Sequence, residues 1–360
     1  MSISEIIFFS SFIVFIVGIL LLDMLVIDRK AHDVSLKEAG IWTGVWIALS
    51  LLFAGFLWFH GDLVHGIENF DDLKIVTEKY ASHLNLDENN FEASLQLYRE
   101  QMTISYITGY LIEKMLSVDN LFVMMMIFTS FAVSKKEYQH VLNWGILGAI
   151  VLRCLFIFIG TAVIKRFDWV LFLFGAFLLY SSIKMFFGKD EDENIDVANH
   201  PVVKFTSKHF RVFPHFNGDN FFVRAKNIDG NVQITSKKEG GKIFLTPLFV
   251  TVIMIEFSDL IFAFDSIPAV FAVSLDPYVV FFSNIFAILG LRAMFFLLAG
   301  IVDKFRFLKI GVGFLLLFIS VKLLIHKWVE INNIASLIFI ISVLVISILL
   351  SVIIPKKEDK

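Results

Sequence analysis

Within residues 255–270, IEFSDLIFAFDSIPAV, the acids Glu256, Asp259 and Asp265 stand inside an apolar run long enough to cross a bilayer. A second stretch, EKMLSVDNLF, places Glu113, Asp119 and Asn120 in another such run. Each carboxylate at the centre of a bilayer costs roughly 2.5–3.5 kcal/mol on an insertion scale, so these groups need something positive beside them. Glu256 and Asp259 share one helix face, whereas Asp265 lies about 120° further round an ideal helix. Pro268 removes a backbone donor and crowds the carbonyl of Phe264, which should open the helix beside Asp265. A freed carbonyl, Asp265, Ser266 and the acids of the first stretch would then form an oxygen cage. Such ligands suit magnesium, calcium or manganese, while zinc and copper more often bring His or Cys.

Other residue types narrow the chemistry. No apolar run has a His near its centre, and the nine His residues lack metal-ligand spacing such as HExxH. Cys154 is the single cysteine, so a disulfide or a thiolate metal site has no second sulfur within the chain. Arg153 and Arg292 also lie in apolar runs and offer a purely structural account of the acids. Two buried Arg–acid pairs would use two of the five carboxylates Glu113, Asp119, Glu256, Asp259 and Asp265, leaving three for a cation or protons. Arg153 and Arg292 are thus candidates for counter-charge or gating, as is Asp23 in LLLDMLVIDRK, although an acid near the interface is readily solvated. Lys184 and Lys322, near the ends of their runs, are expected to snorkel. No phosphate-binding glycine loop and no GxSxG nucleophile motif is present, which argues against an ATP-driven pump, an enzyme or a permanent cofactor.

The elements that must carry these residues are membrane helices. The 360 residues are 57% hydrophobic and only 18% charged, well below the soluble norm of about 25%. Apolar runs near 5–27, 40–60, 104–131, 140–164, 168–187, 244–273, 278–302, 308–326 and 333–354 predict an all-α polytopic membrane protein with about nine transmembrane helices. The N-terminal run has no basic n-region or small-residue cleavage site and reads as a retained span. Lys and Arg total twenty on one side of this topology and six on the other, so the N-terminus is expected outside and the C-terminus in the cytoplasm. Residues 1–60 form two N-terminal helices, 61–103 an acidic outer loop able to form a short helix or two, and 188–243 a cytoplasmic loop with a hairpin and no core of its own.

Residues 104–187 and 244–326 read as two copies of one three-helix unit, followed by a last helix and basic tail over 327–360. LGAIVLRCLFIFIG faces LGLRAMFFLLAG, and GAFLLYSSIK faces GFLLLFISVK. Three helices per unit force the second copy to cross in the opposite direction, and inverted repeats are a construction plan of secondary transporters with a site near the midplane. The register is ambiguous, pairing Asp119 with either Asp259 or Asp265.

EKMLSVDNLF, LTPLFVTVIMIEFSDLIFAFDSIPAVFAVSLDPYVVFFSNIFAILGLRAMFFLLAG and LLDMLVIDRKAHDVSLKEA together resemble the TerC family of bacterial inner-membrane proteins, in its Alx-like branch. The resemblance covers nearly the whole chain. It implies an exporter of divalent metal, foremost manganese, in the bacterial cytoplasmic membrane, linked to metal homeostasis, alkaline stress and tellurium resistance. It carries Glu113, Asp119, Asn120, Glu256, Asp259, Asp265 and Ser266 over as metal ligands. Partners expected on this reading are the bilayer, the transported Mn2+ and protons as counter-ion, with no nucleic acid. A membrane scaffold or stress-resistance factor, and a Ca2+ exporter, stand as alternatives.

Overall fold

The computed structural model describes residues 3–22, 34–167, 169–187, 200–228, 231–234, 241–300, 306–326, 328–329 and 331–354. The chain is an all-α polytopic membrane protein with a small three-stranded sheet added. Helix α1 spans Ile3–Leu22, α2 Leu36–His60, α3 Phe70–Tyr80, α4 Phe91–Ser130, α5 Lys135–Arg166 and α6 Val170–Phe187. After α7 (Pro201–His209) and three strands come α8 Pro247–Phe271, α9 Pro277–Leu289, α10 Leu291–Ala299, α11 Arg306–Ile325 and α12 Asn333–Ile353.

Each apolar run expected to be a span is mainly helical over its described residues, but the count differs. Among the described residues six helices are long and apolar enough to cross a membrane, and the pair α9 and α10, bent by 43°, makes a seventh if taken as one span. Glu113, Lys114 and Asp119 interrupt the apolar stretch of α4, and the apolar part of α11 is short, Ile310–Ile325. Helix α4 also begins earlier than its apolar run, at Phe91, where the Asn90 side chain accepts from the Ala93 N–H. At about 1.5 Å per residue its 40 residues exceed a hydrocarbon core of about 30 Å, so its first turns continue outside.

Pro268 does not open α8. The helix runs unbroken to Phe271, because a proline this close to the end disturbs only the last turns. The break falls instead at Gly290, between α9 and α10.

Helix α9 is buried along its whole length, as a helix apolar on every side must be. Aromatic rings seal it against α1 and α2: Phe12 lies 4.5 Å from Phe282 and Phe53 lies 4.8 Å from Phe286, centroid to centroid. On its far side α9 meets α4 and α5, and Gly109 of α4 leaves room for Ser283. The contacts among the two expected units interchange: α4 packs on α9 as α8 packs on α5, and α6 touches α8 as α11 touches α4.

Strands β1 (Phe222–Ile228), β2 (Asn231–Ile234) and β3 (Lys242–Leu245) form an antiparallel sheet in the order β2-β1-β3. The expected hairpin is β1–β2, and its turn residues lie outside the described ones. Contrary to expectation the loop has a core, a small one of Phe213, Val223 and Ala225 with Phe244 against them. At the opposite end, beyond α2, buried His65 joins three elements. Its Nδ1 contacts Glu5 of α1 and its Nε2 contacts Asp276, just before α9, both at 2.8 Å.

Candidate functional site

Arg153 of α5 organises the centre of the bundle. Its Nε and Nη2 donate to the two oxygens of Asp259 at 3.3 and 3.0 Å, a fork geometry available to guanidinium and not to an ammonium. Its Nη1 donates to Glu113 Oε1, to Asn284 Oδ1 at 3.0 Å and more distantly to Ser266 Oγ at 3.4 Å. The Asn120 amide adds a bond to Asp259 Oδ1 at 2.8 Å, and Ser117 Oγ lies 3.4 Å from Glu113 Oε1. The cluster gathers α4, α5, α8 and α9, and Glu113 and Asn284 are completely buried. One guanidinium therefore serves two carboxylates, where the structural account expected one arginine for each acid.

Four acceptor oxygens in and beside the cluster are left over. Glu113 Oε2, Asn120 Oδ1 and both oxygens of Glu256 are buried without a hydrogen-bond donor from the described residues. Glu256 sits one helical turn from Asp259 and faces Gly145 and Gly148 of α5, where a Cβ on Gly148 would overlap its carboxylate. Beside them a cavity of about 10 Å³ is lined by Asp259, Met124, Gly145 and Ala149 among others. That volume is about enough for one water molecule.

The expected ligands thus divide. Glu113, Asn120, Asp259 and Ser266 meet at Arg153, and Glu256 stands a turn away. Asp265 turns to another face, where it accepts from Ser181 Oγ of α6 at 2.9 Å with Asp119 of α4 in electrostatic range. This corrects the single cage of seven ligands: an unbroken α8 cannot aim Asp259 and Asp265 at one point. Among the described residues no three His, Cys, Asp or Glu side chains converge as metal ligands in this conformation.

Arg292 of α10 is placed elsewhere and donates to Asn143 Oδ1 of α5 at 2.7 Å. The two arginines cross reciprocally, Arg153 of the first unit to Asn284 of the second and Arg292 of the second to Asn143 of the first. Asp23 lies outside the described residues. Lys184 is exposed as expected, but Lys322 is buried and binds Asn333 and Ser336 of α12 at 3.1 and 2.9 Å, so it joins helices instead of snorkelling. Asn284 and Ser181 were not legible as site residues. Neutral and embedded in apolar runs, they raise no electrostatic alarm, and only the helix packing shows what they face.

Long apolar helices packed around a buried charged centre define a polytopic integral membrane protein. The chain belongs to the integral membrane protein TerC family, which it matches over residues 98–359, a region that takes in both three-helix units. It is 38% identical over 350 residues to a Salmonella typhi protein named "Putative membrane-bound redox modulator Alx", covering 97% of this chain and 95% of that one. The protein of the same name from Escherichia coli (strain K12) is 37% identical over 97% of this chain and 95% of its own. An uncharacterized membrane protein of Myxococcus xanthus, STKORF319, is 36% identical over 96% and 91%. No solved structure matches the chain.

Proposed function

We propose that this protein is a secondary transporter that exports divalent metal ions, foremost Mn2+, across the bacterial cytoplasmic membrane, coupled to protons. The observation that carries the reading is the set of buried acceptors near Arg153: Glu113 Oε2, Asn120 Oδ1 and both Glu256 oxygens have no donor among the described residues. Buried acceptors left this way cost free energy that a purely structural network would not retain, and a hard cation would satisfy them. Glu113 and Asp259 exceed Arg153 by one formal charge, and Glu256 adds another. A metal entering beside Asp259 would compete with the guanidinium for the carboxylates, so Arg153 serves as the internal counter-charge of the empty state. A buried carboxylate is most stable with either a cation or a proton bound, which links metal exit to proton entry.

The inverted pair of units belongs to this reading. It draws support from the interchanging helix contacts and the reciprocal Arg–Asn bonds. No enzymatic step and no resident cofactor enters the mechanism. A redox role, which the relatives' name carries, would need a partner's thiol to complete a dithiol couple with half-buried Cys154.

The test is manganese flux in proteoliposomes, with and without a pH gradient, for the wild type, Glu113→Gln and Asp259→Asn. Gradient-responsive flux in the wild type and loss of roughly tenfold or more in each folded variant is the expected result. Well-folded wild type that moves neither manganese, calcium nor magnesium would refute the transporter and promote a scaffold role.

A further inference from the structure

Lys114 follows Glu113 on α4, and one residue step of about 100° turns it away from Arg153 toward the end of α9. Its Nζ donates to the carbonyl of Ala287 at 2.9 Å. Ala287 is fully buried and lies in the last turn of α9, where the final four carbonyls have no partner within the helix. A helix end of this kind carries about half a negative charge, and burial of Ala287 weakens its screening by solvent. Gly290, the residue at the bend, is what admits the ammonium. A Cβ there would lie 2.8 Å from Lys114 Nζ and 3.1 Å from Trp46 Cβ. Asn284, which binds Arg153, lies three residues before Ala287, so one stretch of α9 is held both by Lys114 and by the central cluster.

In transporters with interrupted helices the carbonyl end of a half-helix is where a coupling cation is coordinated. We propose that the Lys114 ammonium is a tethered substitute for such a monovalent cation, seated at the α9–α10 break and positioning Asn284 against Arg153. The inference rests on the transporter reading and adds to it that metal movement needs neither sodium nor potassium. Lys114 acts through the helix end and is a positioning residue.

The experiment compares sodium, potassium and choline chloride at equal ionic strength, using the full-length protein. In proteoliposomes wild-type manganese flux should be the same in all three salts. Lys114→Ala should lose about tenfold or more in choline, as removal of a charged hydrogen bond implies, and recover part of that loss in sodium or potassium. Gly290→Ala, whose methyl displaces the ammonium while the lysine remains, should acquire the same salt dependence and carries the test if Lys114→Ala fails to fold. In detergent, the thermal midpoint of the variants should rise in sodium or potassium over choline while that of the wild type stays level. This midpoint needs no transport, so absent flux in wild type counts against the exporter and leaves the substitution of cation by lysine to be judged by the midpoint. Sodium- or potassium-dependent wild-type flux would overturn the proposal, as would variants whose flux and midpoint ignore all three salts.

Discussion

Glu256 shows how a single backbone position can govern a carboxylate. It is held against Gly148 with neither oxygen bonded to a donor among the described residues, and the glycine leaves room that any Cβ would fill. Gly148→Ala should therefore displace the carboxylate, which is the movable end of a flexible side chain, without disturbing α5 itself. The expected outcome is a thermal midpoint within a few degrees of wild type and metal flux reduced as far as in Glu256→Gln. Unchanged flux in Gly148→Ala would show that the position of Glu256 does not matter. Glu113, Asn120 and Asp259 were legible from sequence because polar groups in an apolar run are costly enough to need a reason. Their division from Asp265 was foreshadowed by the 120° offset. The role of Arg153 as the shared partner of two acids was not, since sequence spacing pairs charges only along one helix and these bonds run between four.

At the scale of elements, the polytopic helical class was readable because hydropathy over about 20 residues reports burial in lipid directly, whereas of the nine expected spans six or seven are long and apolar enough among the described residues. The site of the helix break was misread. Pro268 carries the familiar signal, yet the position near the end of α8 robs it of effect, while the span bends at Gly290, where a Cβ would crowd Lys114 and Trp46. His65 joins elements in a way no motif announces. Burial alone would favour its neutral ring, but the charges and hydrogen bonds of Asp276 and Glu5 outweigh this and push it up to about 9 from 6.5. Since the folded value is the higher one, the stabilisation is complete below about pH 6.5 and fades as pH rises through about 9. A shift of that size corresponds to a contribution on the order of 3 kcal/mol. The wild-type thermal midpoint should fall more steeply between pH 7 and pH 10 than that of His65→Gln, and parallel curves would remove His65 as the link between α1 and the start of α9.

At the scale of the whole molecule, orientation decides which acid a metal meets first. The segment between α2 and α4 is acidic and that between α6 and α8 carries nine Lys and Arg, so the excess of basic residues predicts the latter on the cytoplasmic side. Helix α8 enters the bundle from that side at Pro247. At about 1.5 Å per residue, Glu256 lies roughly 14 Å in, Asp259 roughly 18 Å and Asp265 roughly 27 Å. In a core of about 30 Å, Glu256 and Asp259 thus bracket the midplane while Asp265 approaches the outer face. A cytoplasmic cation would meet the unpartnered Glu256 carboxylate before Asp259 and Arg153, an order that suits export and would be reversed for uptake. The orientation is open to direct measurement with Cys154→Ala as background. A cysteine at Asn89 should react with an impermeant maleimide on intact cells, and one at Lys208 only after the membrane is opened. The opposite pattern would invert the path, place Asp265 at the cytoplasmic entrance and turn the same carboxylates into an importer's.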